Sequence, residues 1–141
     1  ILAPDGRIDR AAMAERIFSD RLLLEKVNGL IHPAVKDYIL SAIAEGRREG
    51  TLDFLFIEAA LLIEGGYESI VDELWYIYAP EPVRRERLKA SRAYSEEKIT
   101  GILEKQLSEE EYRRHCRVVI DNGGSLADTY RQIDGKLEEY L

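Results

Sequence analysis

The run LWYIYAPEP at residues 74–82, followed by the cationic run VRRERLKASR at 83–92, decides the fold class of this chain. Leu74–Tyr78 is nearly all apolar, which is typical of a parallel strand that is buried on both faces. Pro80 and Pro82 then frame the start of a helix. A buried strand that leads at once into a cation-bearing helix predicts α/β structure. It also predicts a site for anions, phosphates above all, at the carboxyl end of the strand.

Two other segments have the composition of buried strands, Leu52–Ile57 (LDFLFI) and Val118–Ile120 (VVI). Because helical patterns separate the three, the sequence predicts a parallel sheet with helices on both faces. Three strands are few for such a sheet. We therefore expect these residues to be the later part of a longer protein, with the sheet incomplete at its N-terminal side.

Polar residues mark the helix starts. The predicted N-caps are Asp9, Asp20, Ser95, Ser108 and Ser125. The second helix contains His32-Pro33, and proline removes a backbone donor, so we expect a kink or a restart there.

Composition excludes several classes of protein. With 27 acidic and 20 basic residues the net charge is −7, which argues against a nucleic-acid binder because such proteins need a basic face. The longest apolar run, Ala59–Ile63, is too short to span a bilayer. The single cysteine, Cys116, allows neither an internal disulfide nor a cysteine-based zinc site, and we expect it to be a small buried residue before a strand. A cytoplasmic location is expected.

The cations after Pro82 have two interpretations. Their guanidinium groups could grip phosphate oxygens, or they could form a solvated helix face paired with Glu81 and Glu86. The segment Asp121–Gly124 also has two interpretations. It could be only a turn, or it could present backbone amides and Asn122 to a purine ring.

Three other residues are candidates on weaker grounds. Glu58 follows a predicted strand and could hold a metal or a substrate hydroxyl, or simply end the strand. Glu64, before Gly65-Gly66, could cap a turn or face the same cleft. His32 could be a buried helix residue or a ligand, but with only two histidines in the chain a histidine-based metal site is not expected.

The order and spacing of six motifs resemble those of the dephospho-coenzyme A kinase family. The motifs are D-G-R-I-D-R…E-R-I-F-S-D at 5–20, L-I-H-P at 30–33, L-L-I-E at 61–64, R-x-x-R-L at 84–88, S-x-E-x-x-x-x-I-x-x-x-Q at 95–106 and V-I-D-N-x-G at 119–124. The resemblance implies a P-loop kinase-type α/β fold. It divides the chain into a helical substrate-binding segment at 8–46, sheet core at 50–80 and 117–141, and a lid region at 83–116.

The implied activity is phosphorylation of the ribose 3′-hydroxyl of dephospho-CoA by ATP with Mg²⁺, the last step of coenzyme A biosynthesis. The resemblance assigns Arg87 as the catalytic lid arginine on the ATP phosphates. It places Arg92, Asn122 and Gly124 on the ATP side as well. The residues assigned to the dephospho-CoA side are His32, Glu58, Leu61 and Glu64. No metal ligand is assigned within these residues.

The sequence departs from the family in three places. Glu58-Ala59-Ala60 stands where the family has Asp-x-Pro, and Ser91-Arg92 where it has Arg-Asp, which leaves open whether Arg92 replaces the family's arginine. The phosphate-loop pattern G-x-x-x-x-G-K-[ST] does not occur in the 141 residues. We therefore expect the isolated chain to be inactive. Because the resemblance implies that the first strand of the sheet is missing too, we expect the chain to be unstable, to aggregate or to pair with another chain. The alternatives are another small-molecule P-loop kinase, similar to nucleoside monophosphate kinases, and a non-catalytic interaction module.

Overall fold

The computed structural model describes residues 1–141, apart from the side chain of Phe18. It forms two compact units, residues 1–61 and residues 62–141. The first is helical, and the second contains a parallel sheet with helices.

The first unit consists of two α-helices, α1 (Arg10–Ser19) and α2 (Arg21–Glu49), which pack against each other. Both predicted N-caps are confirmed. The Asp9 carboxylate accepts hydrogen bonds from the amides of Ala11 and Ala12, and the Asp20 carboxylate accepts one from the amide of Leu23. These bonds use backbone donors that the first turn of a helix leaves without partners. At its other end α2 stops at Gly50, whose φ of 64° is left-handed.

Of the kink or restart expected at His32-Pro33, the restart is wrong, because α2 continues through Pro33. The kink stays a prediction. Proline removes one backbone donor and costs roughly 3 kcal/mol in a helix interior. The helix nevertheless extends on both sides of Pro33, over 29 residues in all. The loss of one bond is therefore not enough to divide it.

The predicted strand at 52–57 is also wrong, since this segment is irregular. Its side chains are not those of a buried strand either, with Leu52 55% and Phe56 66% exposed. A strand is stable only when a neighbour completes its hydrogen bonds. Both strands of the sheet lie in the other unit, and 52–57 forms no ladder among the described residues. An apolar run alone does not make a strand.

The second unit begins with a short 3₁₀ helix, Tyr67–Ser69, and continues with two strands and four helices. These are β1 (Trp75–Tyr78), α3 (Glu81–Arg92), α4 (Glu96–Leu103), α5 (Glu109–His115), β2 (Val118–Asp121) and α6 (Leu126–Glu138). The strands are parallel, with Trp75 opposite Val118 and Tyr78 opposite Asp121. The α/β class with a parallel sheet, and the two strands predicted at 74–78 and 118–120, are therefore confirmed.

The predicted serine caps of the second unit are confirmed too. Ser95 and Ser125 accept bonds from the amides of Lys98 and Asp128. Ser108 forms a capping box, in which its hydroxyl accepts from the Glu111 amide while the Glu111 carboxylate accepts from the Ser108 amide.

The core of the second unit surrounds the sheet. Ile99 of α4 is fully buried and Ile120 of β2 is 2% exposed. Cys116 is buried just before β2, as expected, and burial raises the pKa of its thiol. Its neighbour His115 contacts Glu68 instead, so the two adjacent residues do not form a reactive pair.

Candidate functional site

The carboxyl ends of the two strands lie side by side. The amide of Asn122 donates to the carbonyl of Tyr78 over 2.7 Å, which extends the ladder one residue beyond β2. Consequently, the loop Ala79-Pro80 after β1 runs next to the turn Asp121–Gly124 after β2. In open α/β sheets this edge is where ligands collect.

Several contacts hold the turn Asp121–Gly124 in one conformation. The Asp121 carboxylate accepts from the Gly123 amide at 2.7 Å, while the Gln132 side chain bonds both the amide and the carbonyl of Asp121, at 2.8 and 2.9 Å. Gly123 lies against Pro80 so closely that a Cβ there would be 2.6 Å from the proline Cδ. A rigid turn of this kind can present its backbone to a ligand at little entropic cost.

Asn122 is oriented from α6. The hydroxyl of the buried Thr129 lies 3.2 Å from Asn122 Oδ1 and equally 3.2 Å from the carbonyl oxygen of Ser125, and these two acceptors share its one hydrogen. The amide nitrogen of Asn122 then keeps its two donors. Next to it, Gly124 has no side chain to separate a ligand from the backbone.

Arg87 reaches the same turn. Its Nη2 lies 3.5 Å from the carbonyl oxygen of Gly124, 37 residues further along the chain. The structure therefore brings together three residues that the sequence analysis assigned to the ATP side, namely Arg87, Asn122 and Gly124.

The neighbouring cations of α3 differ from Arg87 in their partners. Arg85 bonds Glu81 at 2.8 Å and Glu96 at 3.3 Å, and Lys89 also contacts Glu96. Lys89, and after it Arg85, hold the pKa of Glu96 below its ordinary value. These two cations are paired, as one interpretation predicted, but only Glu81 is a predicted partner: Glu96 of α4 takes the place of Glu86.

Arg87 and Arg92 are exposed, and among the described residues neither has a carboxylate partner. They lie five positions apart on α3, which places them about 140° apart around the helix axis. Arg87 faces the turn after β2, so the structure does not bring Arg92 to that turn. The ion pairs thus single out Arg87 as a cation that contacts the strand edge and is not neutralised.

The four residues assigned to the dephospho-CoA side are divided between the units. His32 is exposed on α2, and Glu58 and Leu61 lie in the irregular segment that ends the first unit. Glu64 is exposed in the turn before Gly65, in the second unit. They therefore form no common site within either unit. The placement of Glu58 at the end of a strand was wrong, because that strand is absent.

Several residues of this edge escaped the sequence analysis. Gln132 and Thr129 look like ordinary polar residues of an amphipathic helix, and their bonds to the turn leave no trace in the sequence. Pro80 predicts the start of a helix but not its contact with Gly123. Glu96 had a detectable signal, since it follows the N-cap Ser95 and lies in the first turn of α4, where acidic residues are favoured. The sequence does not show that Glu96 pairs with Arg85 and Lys89 of α3.

The described residues contain no group of three or more histidine, cysteine, aspartate or glutamate side chains that could hold a metal ion. Among their helices none is both long and apolar enough to cross a membrane.

The sequence also matches known proteins. A family model described as dephospho-CoA kinase matches residues 1–128. This chain belongs to the dephospho-CoA kinase family. Dephospho-CoA kinases of Carboxydothermus hydrogenoformans and Moorella thermoacetica are 36% and 34% identical to it, over 94% and 99% of the chain. The chain spans 64% and 66% of the lengths of these two relatives.

Solved structures agree with this assignment. A protein from Thermus thermophilus shares 30% identity with this dephospho-CoA kinase family member, with a TM-score of 0.77 over 99% of the chain and 71% of the other protein. The dephospho-CoA kinase from Campylobacter jejuni, at 24% identity, matches in fold, with a TM-score of 0.70 over 98% of the chain and 68% of its own. The predicted P-loop kinase-type fold and the family resemblance are confirmed.

Proposed function

We propose that the protein to which these residues belong transfers the γ-phosphoryl group of ATP to the ribose 3′-hydroxyl of dephospho-CoA, in the cytoplasm. The observation that carries the proposal is the position of Arg87. It is a cation without a carboxylate partner among the described residues, and it lies 3.5 Å from a rigid turn at the carboxyl edge of a parallel sheet. Membership of the dephospho-CoA kinase family supplies the reaction.

Arg87 would act on the phosphates. During phosphoryl transfer negative charge spreads over the oxygens of the transferred group, and a guanidinium that donates two parallel hydrogen bonds stabilises it. Arg85 is less suited to this role because Glu81 and Glu96 already bond it. Arg92 would be a second phosphate ligand, which approaches from another side of α3.

The turn Asp121–Gly124 would hold the adenine. The Asn122 carbonyl oxygen lies beside the Thr129 hydroxyl, and the Asn122 NH₂ group offers donors that suit a ring nitrogen of a purine. Gly124 allows a flat ring to approach the backbone. His32, Glu58, Leu61 and Glu64, which the family resemblance assigns to the second substrate, would contact dephospho-CoA.

Mg²⁺ would accompany ATP by binding its phosphates and thereby neutralise charge in the transfer. The described residues do not fit a resident magnesium site, since they contain no suitable cluster of ligands. We therefore assign no step of the reaction to a metal held by them.

The proposal is tested with Arg87→Ala in the full-length protein. We expect kcat for dephospho-CoA phosphorylation to fall roughly 10³-fold or more, the range measured for arginines that stabilise phosphoryl transfer, with partial recovery in Arg87→Lys. Arg114→Ala is a matched control. This arginine is exposed on α5 and pairs with Glu110 at 3.3 Å, so its loss should leave kcat unchanged.

Two outcomes contradict different parts of the proposal. Near-normal turnover of Arg87→Ala would show that Arg87 does not take part in phosphoryl transfer. If the wild type phosphorylates nucleoside monophosphates but not dephospho-CoA, the proposed substrate is wrong and the first alternative applies. If the wild type transfers no phosphoryl group at all, the interaction module is favoured.

The 141 residues by themselves should not catalyse the reaction, because their sequence contains no phosphate-loop pattern. The first unit exposes large apolar side chains, among them Leu22 and Leu30 at 71% and 74%. Such surface favours self-association. Light scattering of the isolated 141-residue chain tests this, and a monodisperse monomer with a cooperative melt would contradict it.

A further inference from the structure

Three arginines of α3 each bond a different element. Arg84 Nη1 donates to the side-chain carbonyl of Gln106 at 2.8 Å, in the connection between α4 and α5. Arg85 bonds Glu96 and Thr100 of α4, and Arg87 contacts Gly124 before α6. The helix that carries the proposed phosphate ligand is thus fixed by its own arginines on three sides.

The connection that Arg84 bonds leads directly into α5, and aromatic side chains fix α5 on β1. The ring of Tyr112 stacks on that of Tyr76, with centroids 4.7 Å apart and an angle of 12° between the planes. The guanidinium of Arg113 lies over the Tyr78 ring at 5.4 Å. Stacked rings and cation–π contacts of this kind each contribute to stability and restrict orientation.

Arg84 is not an ordinary surface cation. It is half-buried, and its Nε is buried without a hydrogen-bond partner among the described residues. Its bonded partner, Gln106, is neutral. Burial raises the pKa of Tyr76 and Tyr112, and the charge of Arg84 opposes that shift in both.

Partial burial of a cation that has only a neutral partner costs desolvation free energy. Stability alone therefore explains Arg84 poorly, since an apolar side chain of similar length would avoid this cost. What Arg84 supplies is a directional link. It joins the first turn of α3 to the segment that leads into α5, one helical turn before Arg87.

We propose that Arg84 is a positioning residue for the reaction. Through Gln106 it holds the α4–α5 connection and α5 against β1, and this fixes α3 in the orientation that places Arg87 at the Gly124 turn. The kinetic part of this inference rests on the proposed function, whereas the structural part does not.

The structural part is tested by hydrogen exchange in the full-length protein. Arg84→Met and Gln106→Leu each remove one side of the link while keeping most of the side-chain volume. We expect the amides of 109–115 to exchange about 10-fold faster in each variant, the effect of losing a hydrogen bond to a charged group. The double variant should exchange no faster than either single variant, because both remove the same bond. Amides of α6 should be unaffected, and Arg114→Met serves as the control variant on α5.

The kinetic part is tested on the same variants. Arg84→Met should raise KM for ATP or lower kcat by roughly 10-fold while KM for dephospho-CoA stays unchanged, since only the presentation of Arg87 is altered. Arg84→Lys retains the charge and one donor and should recover part of the loss. General loss of structure would instead impair both substrates and would not be rescued by lysine.

Unchanged exchange of 109–115 in Arg84→Met, or additive effects in the double variant, would overturn the structural link. Equal rises in KM for both substrates would overturn the positioning of Arg87. If the wild type does not phosphorylate dephospho-CoA, the proposed function fails, and the exchange experiment still decides whether Arg84 holds α5. Should Arg84→Met not fold, Gln106→Leu and Arg84→Lys test the same link.

Discussion

Residues 62–141 and residues 1–61 use their apolar side chains in opposite ways. All buried side chains of the described residues, Ile99 and Ile120 among them, lie in the second unit. Most of the large apolar side chains that are exposed lie in the first, including Leu30 at 74% and Tyr38 at 76%. Burial of apolar area is the main favourable term in folding, so the second unit should be the more stable of the two.

The difference follows from the kind of contact that each unit makes. In the second unit, the parallel pairing of Trp75 with Val118 joins segments that are distant in sequence, and side chains from both strands and from the helices can then surround one core. The first unit has two helices in sequence and an irregular tail. Two helices can bury only the face along which they touch.

The largest effect should come from Ile120→Ala in the full-length protein. Removing a side chain that is 2% exposed leaves a cavity and should lower the free energy of unfolding by about 2–5 kcal/mol. Ile77→Ala is a matched control, since Ile77 pairs with Ile120 in the sheet but is 51% exposed. Leu30→Ala in the first unit should change stability by no more than ~0.5 kcal/mol. Urea titrations measure all three, and an equal loss at Leu30 and Ile120 would abolish the contrast between the units.

An intermediate effect is expected at Gly123, where the turn meets Pro80. Gly123→Ala would place a methyl group 2.6 Å from the proline Cδ, and the rigid ring cannot easily move. We expect a loss of about 1–3 kcal/mol in thermal unfolding, as is usual for overpacking. Gly101→Ala is the control. It lies in α4 with no atom within 4 Å of a new Cβ, and it should stabilise the protein by about 0.5–1 kcal/mol. If both substitutions behaved alike, the turn would not be tightly packed.

The smallest effect is expected from a fall in pH. Acid should lower the stability of the second unit and so reduce the difference in stability between the two units. Burial acts to raise the pKa of Glu73, but hydrogen bonds from Tyr140 and Trp75 outweigh it, and its pKa lies below the ordinary 4.5. Contacts with Lys89 and Arg85 likewise lower the pKa of Glu96. The folded protein therefore binds fewer protons than the unfolded chain, so this stabilisation is present above about pH 4.5 and is lost as pH falls through the lowered values.

Urea midpoints between pH 6 and pH 3 measure this loss, which should be accompanied by faster hydrogen exchange in residues 62–141. Glu73→Gln should make the midpoint less dependent on pH in this range. A midpoint that does not change with pH, or an unaltered slope in the variant, would contradict the assignment.

Local features of the sequence predicted much of this structure. The five N-caps and the two strands at 74–78 and 118–120 were predicted correctly because each depends on a few adjacent residues. The segment 52–57 has the same apolar character as β1 and is irregular, since a strand also needs a neighbour and composition does not supply one. The same limit applies to Pro33, whose local effect was outweighed by the rest of α2.

The candidate site shows the same division. Arg87, Asn122 and Gly124 could be named from motif order, because the spacing of residues along the chain does not depend on how the chain folds. The tertiary structure added a physical difference between Arg87 and its neighbours: Arg85 and Lys89 pair with carboxylates, and among the described residues Arg87 does not. Glu96 bonds Arg85 and Lys89, whereas Arg87 contacts the turn that hydrogen bonds from Gln132 and Thr129 hold in place. Sequence by itself determined which residue types were available at each segment. The fold decided which charges are neutralised and which are free, because electrostatic pairing depends on distances between residues far apart in the chain.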